Sequence, residues 1–140
     1  MTRSAFNSVL LATLAGISSV SAPAQAPGMG ALALVERGEW ELHELGATTP
    51  NRRMCVTDAR QLLQPEHPGQ QCKRFIVENS AQHMTVTYDC AGAGQGRTAV
   101  RVETARLVQI TTQGVSGGSP FSRTIEGRRV GACKSAALAR

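Results

Sequence analysis

The sequence predicts an all-β domain. It reads as a curved antiparallel meander of about six or seven strands, half-barrel or small barrel-like, with one short helix and disulfide bridges. Three observations carry this. From Glu36 onward apolar and polar residues alternate with period two, as in half-buried antiparallel strands. Short glycine- or asparagine-containing breaks separate the alternating runs. Four cysteines, an even number, fall within the same region.

The elements follow in order. ERGEWELHEL sets Trp40 and Leu42 on one face and Glu39, Glu41 and His43 on the other. VTDARQLLQP is the one departure from alternation: Thr57 or Asp58 can cap a short helix carrying Ala59, Leu62 and Leu63, which stops before Pro65. KRFIVEN groups Phe75 with Val77, and HMTVTYDC groups Met84, Val86, Tyr88 and Cys90. RTAVRVETA pairs Val100 with Val102, and LVQITTQ pairs Val108 with Ile110. Breaks are expected at Asn79-Ser80, Gly92 to Gly96 and Gly114 to Gly118. In the closing FSRTIEGRRVGAC, alternation sends Arg128 and Arg129 to opposite faces of the last strand. An anion clamp made by both is therefore excluded. One arginine is expected to stay in water and the other to fasten the strand.

The first residues read as an export signal. Arg3 precedes an apolar run from Val9 to Val20, and SAPAQA supplies small residues with cleavage-site spacing. That run is shorter than the roughly 20 residues a bilayer span requires. The predicted organisation is residues 1–26 as signal peptide, 27–35 as flexible lead-in, 36–134 as a single β-rich domain and 135–140 as a tail. Roughly 115 residues then remain, the size of one small domain.

Export places the chain in the periplasm or outside the cell, where cysteines close bridges. Sequence proximity favours Cys55–Cys72 with Cys90–Cys133, and no free thiol is expected. Trp40, the only tryptophan, heads an alternating strand and is expected as a buried anchor.

Catalytic and cofactor motifs are scarce. The chain carries 15 basic and 10 acidic residues, but the basic ones are spread along its length with few aromatics between them. Nucleic-acid grooves concentrate charge and interleave aromatics, so that class is set aside. AGAGQGR, Ala91 to Arg97, lacks the following helix of a phosphate loop and reads as a hairpin turn. His43, His67 and His83 lie in unrelated segments without a spaced partner and read as surface histidines, so no metal or other cofactor is expected. No Cys-x-x-Cys pair or Gly-x-Ser-x-Gly elbow is present.

Taken together, these residues resemble the domain-of-unknown-function 3617 (DUF3617) family of small exported proteins of Gram-negative bacteria. The resemblance rests on Gly38-Glu39-Trp40-Glu41, on Cys55-Val56-Thr57-Asp58-Ala59, on Cys72 before a strand and Cys90 ending one, and on Gly127 to Cys133 (GRRVGAC). It implies an exported location and this fold, and no activity.

The expected function is a non-enzymatic binding module taking a small apolar ligand or an envelope protein. A pocket lined by Trp40, Phe75, Val86 and Tyr88 would mark it. The alternative is an envelope enzyme whose site only the fold assembles. Trp40, Tyr88, Arg128 and Arg129 are the candidate structural or binding residues, beside the four cysteines.

Overall fold

A computed structural model describes residues 28–134. The expected signal peptide and tail lie outside the described residues. Seven antiparallel strands form one open sheet: β1 (Gly38–Glu44), β2 (Arg52–Val56), β3 (Lys73–Asn79), β4 (His83–Asp89), β5 (Gly94–Thr104), β6 (Leu107–Ser116) and β7 (Ser119–Gly131). Their order is β2-β1-β7-β6-β5-β4-β3. The predicted all-β class and strand number hold, and the sheet does not close into a barrel.

This order dictates what fills the sheet's inner face. The chain leaves β2 at one edge and must enter β3 at the other, so residues 57–72 cross the whole inner face. The only α-like departure in the sequence falls in this crossover, as a 3-10 helix at Ala59–Leu63. Asp58 is its N-cap and accepts from the Arg60 amide, while the Gln61 side chain returns to the Asp58 amide. Leu62 and Leu63 are thereby aimed into the sheet and buried.

A second 3-10 helix, Gly30–Leu34, buries Ala31 and Leu32 in the same core. The residues expected as a flexible lead-in therefore include a packed element. Under both helices lie Trp40, Leu42, Val86, Val100, Val108, Ile110 and Ile125, the inward phase of the alternating runs.

Three local expectations need correction. Gly94 and Gly96 belong to β5 and Gly114 to β6, so the turns are shorter than the glycine runs suggest. A Cβ on Gly96 would lie 2.6 Å from the Tyr88 hydroxyl oxygen, so that glycine makes room for the tyrosine on the neighbouring strand. Phe75 and Val77 do not line the core: they are 71% and 46% exposed, and it is Ile76 between them that packs inward. The alternation was real, but an edge strand shields its two faces unequally and its apolar phase need not mark the inside.

The third correction concerns the bridges, which join Cys55 to Cys133 and Cys72 to Cys90. Glu39 of β1 is registered with Cys55 on one side and with Gly131 on the other. The end of β7 therefore reaches across the start of β1 to β2. Lys73 pairs with Asp89 across the β3–β4 hairpin, so Cys72 and Cys90 occupy the next rung. No free cysteine remains among the described residues, as expected.

Candidate functional site

Along the inner face the apolar layers are interrupted by one polar band. Val86, Thr98 and Thr112 are registered neighbours across β4, β5 and β6, and Arg123 follows on β7. Thr98 and Thr112 are fully buried and satisfy each other, oxygen to oxygen, at 2.8 Å. One rung away lies Tyr88. Burial pushes its phenol above the ordinary value, partly offset by the Thr112 and Thr98 hydroxyls, so it remains a neutral hydrogen-bonding group.

The crossover lowers Glu66 and His67 onto this band. Gln64 holds it there: its side-chain amide donates to the backbone oxygens of His67 (3.0 Å) and Gln70 (2.9 Å), and Arg74 donates to its carbonyl. His67 is 3% exposed, with Nδ1 at 3.1 Å from the Tyr88 hydroxyl and Nε2 without a partner. This corrects the expectation of a surface histidine. Its ring also stands edge-on to Tyr88 and near Phe121.

Glu66 turns the other way, into an ion-pair network. Its Oε1 meets Arg52 Nη2 at 2.9 Å and its Oε2 meets Arg123 Nε at 3.1 Å. Both oxygens of Glu44 accept from Arg123 Nη1 at 2.8 Å. Glu44, then Glu66, hold the Arg123 guanidinium above its ordinary value, so it stays charged at any working pH. The four side chains line a cleft of about 240 Å³ together with Thr49 and Pro50, over Leu42 and Ile125.

The cleft's protein groups use all the carboxylate oxygens but not all the guanidinium donors. Every carboxylate oxygen already has an arginine partner. Arg123 Nη2 and Arg52 Nε have no acceptor among the described residues. Solvent-facing guanidinium donors with no protein acceptor, set above an apolar floor, suit a small molecule with an acceptor at one end and hydrocarbon at the other. A broader depression of about 500 Å³ passes Thr87, Arg97 and Gln113, but it is shallow and open.

Of the candidates read from sequence, Tyr88 joins this band. Trp40 is fully buried elsewhere in the core, with its indole N–H donating to the Glu36 backbone oxygen at 3.0 Å. The pocket once expected from Trp40, Phe75, Val86 and Tyr88 is not formed: Trp40 and Val86 are buried under the crossover and helices, and Phe75 faces out.

The two arginines divide as alternation requires. Arg128 is 61% exposed at its side chain and pairs with Glu126 on the outer face. Arg129, 21% exposed, lies against Gly38 and donates from Nε to the Arg37 carbonyl at 2.8 Å, with Glu36 at 3.6 Å. It stitches the last strand to the approach of the first. Arg129→Ala is expected to cost about 1–3 kcal/mol, as for a lost charge-assisted bond, and Arg128→Ala to be nearly silent. Urea denaturation of the two single variants checks this; equal midpoints would remove the stitching role.

Sequence reasoning missed Glu44, Arg52, Glu66, His67 and Arg123. A signal existed for two of them. Glu44 continues the inward phase of Trp40 and Leu42, and Arg123 that of Ile125 and Gly127. Charge on an apolar phase was the mark of the cleft.

A family model described as "Protein of unknown function (DUF3617)" matches residues 35–133. The chain belongs to the DUF3617 family. No curated protein and no solved structure matches it. In this member the family region spans all seven strands and both bridges. Among the described residues no helix is long and apolar enough to cross a membrane, and no three His, Cys, Asp or Glu side chains gather as metal ligands would.

Proposed function

We propose that this DUF3617 domain is an exported, non-enzymatic binding module of the periplasm, and that its ligand site is the cleft between β1, β7 and the crossover. The observation that carries the reading is the Arg52–Glu66–Arg123–Glu44 network over Leu42 and Ile125, which leaves guanidinium donors facing solvent with no protein acceptor. The ligand class is a small monoanion with an apolar stem, such as a short fatty carboxylate. The filled inner face gives a wholly apolar ligand no comparable room.

Binding is favoured over catalysis on chemical grounds. General acid–base work needs a group free to take or give a proton at the substrate. The Glu44 and Glu66 oxygens are tied to arginines, and the His67–Tyr88 pair is buried away from solvent. Two disulfides fit the oxidising compartment that the N-terminal signal implies.

Thermal unfolding with excess hexanoate, and with hexanol as the neutral control, tests the site. A ligand that binds only the folded state raises the melting temperature by mass action, about 2.7 kcal/mol at a hundredfold excess over Kd. Stabilisation by hexanoate alone, weakened roughly tenfold in apparent affinity by Arg52→Gln at the rim, is the expected result. Equal responses to both compounds, or no response to either, would overturn the assignment.

A further inference from the structure

The β3 edge carries a second reading, independent of the cleft. β3 is the last strand of the sheet, so among the described residues one side of its backbone has no neighbouring strand. Its outer face displays, in order, Lys73, Phe75, Val77 and Glu78. A register shift between Ile76 and Glu78 brings Glu78 opposite Thr85, on the same side as Phe75 opposite Thr87. Phe75 is the most exposed large hydrophobic side chain among the described residues. Among the described residues neither Lys73 nor Glu78 has an ion-pair partner, and Glu78 accepts only from the Thr85 hydroxyl at 3.4 Å.

We infer that this strand pairs with a second copy of the chain. The pattern is basic at one end, apolar in the middle and acidic at the other, and it is complementary to itself when reversed. An antiparallel two-fold pairing centred on Phe75 sets the two phenyl rings side by side. It also places Lys73 of each copy beside the Val77–Glu78 bulge of the other. Backbone hydrogen bonds would continue the sheet, and the cross-strand pairs supply the register. The opposite edge does not offer this. β2 is only five residues long, carries no acid, and its Arg52 and Arg53 are already paired with Glu66, Glu39 and Glu41, so a reversed copy finds no complementary charge there.

Sedimentation velocity of the mature protein over the micromolar range, up to high micromolar, tests the pairing. The expected result is a monomer–dimer equilibrium that Phe75→Ser and Lys73→Glu each shift at least tenfold toward monomer. The double variant Lys73→Glu/Glu78→Lys, which restores complementarity with the signs exchanged, regains the dimer. All these positions are exposed, and unchanged circular dichroism and melting temperature establish that the variants fold. A wild type that stays monomeric throughout overturns the inference. So does a double variant no better than Lys73→Glu alone, or a dimer indifferent to Phe75; the last would place the contact elsewhere.

Discussion

Trp40→Ala is expected to lower stability by about 3–5 kcal/mol, the range for emptying a large buried aromatic site. The site cannot collapse readily. Trp40 is fully buried, its neighbours in register are Met54 on β2 and Arg129 on β7, and Gly127 has no side chain to move into the space. The indole N–H also leaves the Glu36 carbonyl unpartnered when removed. A small domain holds only about 5–15 kcal/mol in total, so the variant should melt tens of degrees lower or fail to accumulate. Trp40→Phe, which keeps most of the volume and loses the hydrogen bond, separates the two contributions and should cost about 1–2 kcal/mol. Near-parental melting of Trp40→Ala would show that the anchor is elsewhere.

The second large effect belongs to the bridges. Chain entropy assigns about 4.5 kcal/mol to the Cys55–Cys133 closure, with a separation of 78, and about 3 kcal/mol to Cys72–Cys90, with a separation of 18. Cys55→Ala/Cys133→Ala should therefore be the more damaging double replacement. It also frees the end of β7 from β2, next to the Arg129 stitch. Urea midpoints of the two double variants give the ranking. Peptide mapping without reduction gives the pairing: fragments linking Cys55 to Cys72 would contradict the fold's register at β1.

How much of this was legible in the sequence depended on which interactions fixed each feature. Six of the strands and the short helix before Pro65, capped by Asp58, were local features set by alternation and capping, and were legible; β2, Arg52–Val56, shows no alternating run and was not. The Cys72–Cys90 bridge escaped the sequence reading, because counting back from Asn79 opposite Met84 sets Cys72 opposite Ala91, and only the register shift between Ile76 and Glu78 brings Cys90 opposite it. The Cys55–Cys133 bridge was out of reach for a different reason. It depends on β1 lying between β2 and β7, a long-range adjacency that no local pattern announces. Phe75 misled because the inward phase of an edge strand is decided by what covers it, here Ile76 and the crossover. The cleft was half legible: Glu44 and Arg123 stood out on apolar phases, while Glu66 and His67 reach the site only because the crossover spans the sheet.

Methyl-resolved NMR during titration with hexanoate tests the cleft assignment most directly. Saturable shifts are expected at the Ile125 and Leu42 methyls that line the cleft, with the buried Val100 and Val108 methyls unmoved and the response lost in Arg52→Gln. Shifts confined to Val77 at the β3 edge, or an unresponsive Ile125, would contradict it.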